Sequence, residues 1–322
     1  MKLNMIFMSA FAALLPLTAC NGTSKAENDV EKAETTVFSA NPDWKVAGTK
    51  TLKLRNFDGI KNEYNLEVDY TQGKTYKVVA KYDKIAMTDA EIKVEEGKLV
   101  VRSKRSNVGG IHKTGFVRLA ITAPSIGSIN NSGAFNLNAD FMDLGGKNFS
   151  FDNNGVGKLD VKTISCSSFD VSNSGEFKHF GSVRAALNAK VGNAGVYKSE
   201  GDYEVKGSFG LTNSGSSKIT GNILADNVSF YVSGVDKDKV DVNAERLDIK
   251  SSGVAKMDVT FKGGDANVEC DGVGYVNLDM DCRSFKGSSD GLAKLKLTGT
   301  ADKTDIDGDG VSKIDASGLN KY

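Results

Sequence analysis

Proline is scarce, at three residues, histidine scarcer still, at two, and tryptophan occurs once in a chain of 322. The two histidines, His112 and His179, together with scattered cysteines give no zinc-ligand spacing. Long apolar patterns at period 3.6 are missing, which removes amphipathic helices from the expected architecture. Charge of one sign is missing too: 41 Lys plus Arg face 41 Asp plus Glu, so no net field draws the chain toward nucleic acid or an acidic partner. What is plentiful is glycine, 35 residues. With so little proline, that suits a mostly extended chain with many tight turns.

The chain starts "MKL", continues with the apolar "MIFMSAFAALLPL" and reaches "LTAC" at Cys20. The apolar stretch is broken by Pro16 and followed by polar residues, so residues 1–19 read as an export signal rather than a membrane-spanning helix. "LTAC" resembles the lipobox of bacterial lipoproteins, in which the cysteine is lipidated and becomes the first mature residue. Cys20 is the expected lipidation site, and the expected partner is a membrane held through that lipid. Cleavage near Ala19 as an ordinary signal peptide is the alternative. Residues 20–35 are polar and charged, a composition that predicts a flexible tether. A bacterial cell-envelope location, in the outer membrane, follows as the expectation.

A glycine recurs at Gly133, Gly155, Gly175, Gly195, Gly215, Gly234, Gly253, Gly272, Gly291 and Gly310, spaced by 19 to 22 residues. That period predicts a stacked repeat. Around each glycine the pattern alternates with period two, as short strands on either side of a bend. Four residues before it stand Ile129, Phe151, Val171, Val191, Leu211, Phe230, Ile249, Val268 and Ile306, interrupted by Gly287. One strand–corner–strand unit per coil predicts an all-β chain. We expect a right-handed parallel β-helix of about ten regular coils over 129–322, continuous with an irregular β cap over 36–128. The corner glycine is expected at positive φ.

Two residues before the glycine, Asn131, Asn153, Asn173, Asn193 and Asn213 form an inward column, whose amides are expected to bond one another along the axis. Later coils replace them with Val232, Ser251, Cys270 and Ser289. Nine before the glycine is a column of small residues: Cys166, Ala186, Ala225, Ala244, Gly263, Cys282 and Ala301. Cys166, Cys270 and Cys282 are therefore expected to be buried and unpaired. Three after the glycine comes lysine: Lys158, Lys178, Lys198, Lys218, Lys237, Lys256, Lys294 and Lys313. Two readings of this column stay open. It is either a solvated corner that discourages sideways strand pairing or a basic ridge that docks a polyanion, an acidic polysaccharide or lipid headgroups.

"FDGIKNEYNLEVDYTQG", "EIKVEEGKLVV" and "VRLAITAPSIGSINNSGA", running in that order into the glycine repeats, resemble the family called putative auto-transporter adhesin, head GIN domain. The resemblance covers about residues 50–318. It implies a right-handed parallel β-helix in an exported lipoprotein, and it transfers no catalytic or binding residues. Lys stands here where many members carry Asp after the corner glycine.

Sites for chemistry are thin. "GSSDG" at 287–291 matches the nucleophile pattern at Ser289, but that pattern needs a strand-to-helix turn. "DIDGDG" offers Asp305, Asp307 and Asp309 as weak calcium ligands, without flanking helices or a glutamate at the twelfth position. No cofactor is expected. The expectation is a non-catalytic envelope lipoprotein presenting its surface for adhesion or for binding a ligand such as an anionic glycan. The alternatives are a carbohydrate-active β-helix enzyme, lyase or hydrolase, and a structural protein that self-associates through its end coils.

Overall fold

The computed structural model describes residues 44–105, 114–308 and 313–321. Among them, the period-two stretches are strands. Val156–Asn173 alternates buried and outward residues over most of its 18 positions. It lies parallel to Ala134–Asp143 and Phe149–Asn153 on one side and to Glu176–Asn193 on the other. The register is that of the repeat: Asn131 faces Asn153, Asn153 faces Asn173, Asn173 faces Asn193 and Asn193 faces Asn213. Ser216–Val232, Lys239–Ser251, Val254–Cys270, Val273–Ser289 and Leu292–Gly308 carry the stack onward. The chain is an all-β parallel solenoid of about nine turns, its coils about 4.8 Å apart.

The core is a set of stacked columns. Phe151 lies on Phe177 with ring centroids 4.3 Å apart, and Phe149 on Phe169 at 5.4 Å. Gly287, the gap in its apolar column, makes room for the ring of Phe285, which would stand 2.6 Å from an added Cβ.

The corner glycines are in a row, but not for the expected reason. Of those described, only Gly291 has positive φ. The rest are glycine because of close approach. A Cβ on Gly195 would stand 2.0 Å from the carbonyl oxygen of Gly175, and on Gly215 or Gly234 2.1 Å from that of the glycine below. The N–H groups of Ser216, Val235 and Val254 each donate to the carbonyl of the preceding coil's glycine at 2.8 to 2.9 Å. Hydrogen bonding pulls the coils together at the corner, and no side chain fits between them. Positive φ occurs instead at a second corner the sequence reading missed, Gly181, Gly201 and Gly221.

The small-residue column also needs one correction. Cys166 pairs with Ala185, not Ala186, because the register slips between Cys166 and Ser168. Ala185 is buried and Ala186 is exposed.

Upstream, the chain order and the stacking order part company. Gly59–Asn62 and Asn65–Gln72 form a coil directly beneath Ser128–Asn131 and Ala134–Asp143. Lys98–Ser103 and Phe116–Ala123, later in sequence, lie on the far side of that coil and parallel to it. Three antiparallel strands finish this end: Lys77–Tyr82 on Phe116–Ala123, Gly48–Leu52 on Lys77–Tyr82, and Ala90–Glu95 on Lys98–Ser103. Such a cap shields a core that stacked coils would otherwise leave open.

Candidate functional site

The asparagine column is a continuous chain of amides. Asn131 Nδ2 donates to Asn153 Oδ1 at 2.7 Å, Asn153 to Asn173 at 2.8 Å, Asn173 to Asn193 at 2.7 Å and Asn193 to Asn213 at 2.8 Å. Asn62 extends it below, donating to Asn131 at 2.8 Å. Each buried amide has its polar atoms satisfied, which makes the column a structural element rather than a site.

The lysine column exists in two runs. Lys158, Lys178, Lys198 and Lys218 are register partners, and Lys256, Lys294 and Lys313 share a second run with Tyr275. Lys237 lies between, where pairing lapses between Val235–Asp236 and Lys239–Ser251. Carboxylates accompany the first run: Lys158 Nζ is 2.8 Å from Asp160, Lys178 3.2 Å from Glu176 and Lys198 3.0 Å from Glu200. Lys256 Nζ sits 5.5 Å over the ring of Tyr275. Such pairs offset much of the repulsion between stacked ammonium groups, and they leave an edge of alternating charge.

The remaining sequence candidates do not converge. Ser289 is buried and its Oγ reaches the carbonyl of Cys270 at 3.4 Å. Asp305 and Asp307 are exposed near the end of Leu292–Gly308, Asp305 4.0 Å from Lys286 Nζ. Asp309 and His112 fall outside the described residues, as does Cys20. Among the described residues, no group of three or more His, Cys, Asp or Glu is placed to hold a metal ion. Cys166, Cys270 and Cys282 are buried free thiols, and burial pushes the first two up to about 12 and the third to about 11. They are protonated core fillers at neutral pH.

One cluster escaped the sequence reading. His179, Ser199, Tyr197 and Tyr203 are buried together: Ser199 Oγ is 2.7 Å from Tyr203 OH, Tyr197 OH is 3.0 Å from it, and His179 Nδ1 is 3.3 Å from both Ser199 and Tyr203. Two coils on, Asp236 bonds Ser217, and Asp238 Oδ1 accepts the Ile219 N–H at 2.6 Å. Burial drives His179 down to about 4. Burial raises both aspartates, and the charge of Asp236 raises Asp238 further. The signal was present as gaps in apolar columns, with His179, Ser199 and Asp238 each four after a corner glycine.

The family described as putative auto-transporter adhesin, head GIN domain, matches residues 56–201 and 239–321, well over half of the chain. The chain belongs to that family. Among solved structures, this head GIN domain protein is similar to a putative adhesin from Bacteroides fragilis. That pair is 14% identical, covering 85% of this chain and 98% of the other at a TM-score of 0.38. It is also similar to a putative lipid binding protein from Parabacteroides distasonis, 12% identical over 83% and 96% of the two chains at 0.40. A putative adhesin from Parabacteroides merdae, 14% identical over 83% and 95%, gives 0.39. No curated protein matches. Among the described residues, no helix is long and apolar enough to cross a membrane.

Proposed function

We propose that this head GIN domain protein is a non-catalytic adhesive lipoprotein. In this reading Cys20 carries the lipid, residues 20–35 form the tether and the solenoid is held at the outer membrane. One observation carries the reading: in a solenoid of about nine turns, outward columns such as Lys158 to Lys218 and Thr212 to Glu269 hold register over runs of four coils, so residues repeated per coil become a line of contacts. That favours an extended partner over a small substrate. The family description supports adhesion, and among the described residues the dispersed acids and buried Ser289 give hydrolysis or elimination no convergent machinery.

The test has three arms. The full chain should fractionate with membranes and Cys20→Ser should not. Immobilised wild-type chain should bind surface glycans or envelope fragments without releasing shortened products. Replacing Lys198, Lys218, Lys237 and Lys256 with Gln should weaken binding of anionic glycans at least tenfold if the lysines dock them. Release of cleaved glycan would overturn the reading, and unchanged binding in the last arm would remove the lysines from it.

A further inference from the structure

On the face that leads into the glycine corner, a shallow groove of about 250 Å³ runs between two outward columns. Thr212, Tyr231, Lys250 and Glu269 form one wall, register partners on four successive coils. Ser233, Ser252 and Asp271 line the other. Tyr231 is 43% exposed and takes no part in the hydrophobic core. Its neighbours on the preceding coils are small: its column continues to Thr212 and Gly192, and Gly210 stands two residues before Thr212. On the next coil, Lys250 Nζ is fixed by both Glu269 oxygens, at 3.0 and 2.9 Å, and Asn267 Nδ2 donates to the same carboxylate at 3.3 Å.

An exposed phenol ring beside hydroxyl, ammonium and carboxylate groups held in place is the chemistry that takes a sugar. The C–H face of a pyranose packs on the ring, and its hydroxyls exchange hydrogen bonds with the polar groups around it. The coil spacing of about 4.8 Å is close to the length of one pyranose unit in an extended chain. Successive sugars would therefore meet Thr212, Tyr231, Lys250 and Glu269 in turn. The charges select further. Lys250 is matched by Glu269, and Asp271 adds a negative charge, so the groove repels a polyanion and suits a hydroxyl-rich one without charge.

We propose that this groove is a subsite for a neutral, extended glycan, with Tyr231 as the stacking platform. The proposal rests on the adhesive reading and names a ligand class for one face. It is independent of the lysine column.

The test uses the full chain, with Tyr231→Ala and Tyr231→Phe, titrated with cellohexaose, mannohexaose and hexa-N-acetylchitohexaose, and with hexagalacturonate as the polyanion. Saturation-transfer NMR and calorimetry read binding, and thermal unfolding confirms that the exposed substitutions leave the fold intact. At least one neutral hexasaccharide should bind, at least tenfold more weakly to Tyr231→Ala and within about threefold of wild type to Tyr231→Phe. Hexagalacturonate should not bind through Tyr231. Binding by none of the neutral sugars, or equal binding by wild type and Tyr231→Ala, would overturn the subsite. Envelope or glycan binding retained by Tyr231→Ala leaves the adhesive reading standing while the subsite falls. Loss of all surface binding by the wild type brings down that reading itself.

Discussion

The coils from Asn131 to Asn213 and those from Gly234 to Ala301 reach one geometry with different interiors. In the first set, every coil places an asparagine two residues before the corner glycine, and the coils are 20 or 22 residues long. In the second the position holds Val232, Ser251, Cys270 and Ser289, and the coils are 19 residues long. The amide chain ends at Asn213, which donates to the carbonyl of Val235 at 2.9 Å. Yet the backbone continues unchanged: Val254 donates to Gly234 and Val273 to Gly253 at 2.9 Å, as Val196 does to Gly175 at 2.8 Å. The glycine row is common to both sets and the ladder is not. Close backbone stacking therefore sets the corner, and the amides are one of two ways to fill what it encloses.

That assignment predicts equal damage in both sets when the glycine is lost. A Cβ on Gly195 would stand 2.0 Å from the oxygen of Gly175, and one on Gly253 2.1 Å from that of Gly234. Backbone must move in either case, so Gly195→Ala and Gly253→Ala should each cost about 3 kcal/mol or more, at the upper end for overpacked sites. Urea unfolding of the two variants measures this. A mild effect at Gly253 alone would mean the second set is held some other way.

The ladder should separate the sets. Asn173→Leu strips a partner from both Asn153 and Asn193. Asn153 keeps the carbonyls of Gly155 and Glu176, but the buried Oδ1 of Asn193 loses its donor, and a buried orphaned amide oxygen costs about 1–3 kcal/mol. Ser251→Ala removes a single hydroxyl from the matching position, with an expected loss of under about 1 kcal/mol. Comparing their unfolding midpoints tests the distinction, and equal losses would erase it.

How much of this could be read from the chain depends on whether a residue belongs to a column. The glycine row, the amides from Asn131 onward and the buried cysteines were legible because a period-two strand inside a fixed coil length assigns every position a side and a neighbour. Asn62 was not, although it heads the ladder. Its coil is separated from the next by the cap strands, so no constant spacing points to it. The corner φ was misjudged because glycine answers two demands, positive φ and absence of a Cβ, and sequence cannot tell them apart. Ala186 was misplaced for lack of any mark where a coil takes its extra residue. The lysine column was legible as a line, but its partners depended on side-chain reach, and Lys178 turns to Glu176 rather than forward.

Asp236 and Asp238 lie buried at the join between the two sets, with His179 buried three coils earlier in the first set, and these three groups should give the chain a pH signature. Asp236 and Asp238 keep their protons in the folded chain above the pH at which the unfolded chain loses them, near 4. The raised folded values make their contribution fully present below that pH and lost as pH rises through the folded values, about 6 for Asp236. His179 acts oppositely: its folded value is lowered to about 4 from 6.5, so stability is gained as pH rises between the two. Near pH 5 the folded chain holds two aspartate protons that the unfolded chain has released, and the unfolded chain holds one histidine proton that the folded chain lacks. Each proton is worth about 1.4 kcal/mol per pH unit, so the cluster should make stability fall by about that much per unit around pH 5. Asp236→Asn/Asp238→Asn removes two of the three groups while carboxylates elsewhere titrate alike in both chains, so the slope should lie about 2.8 kcal/mol per unit above wild type. His179→Phe should lower the slope by about 1.4 kcal/mol per unit relative to wild type. Denaturant midpoints at half-unit steps from pH 4.5 to 6 read all three slopes. If the aspartate variant kept the wild-type slope, the join would not be a protonated acid pair, and the second set of coils would begin on ordinary ionised carboxylates.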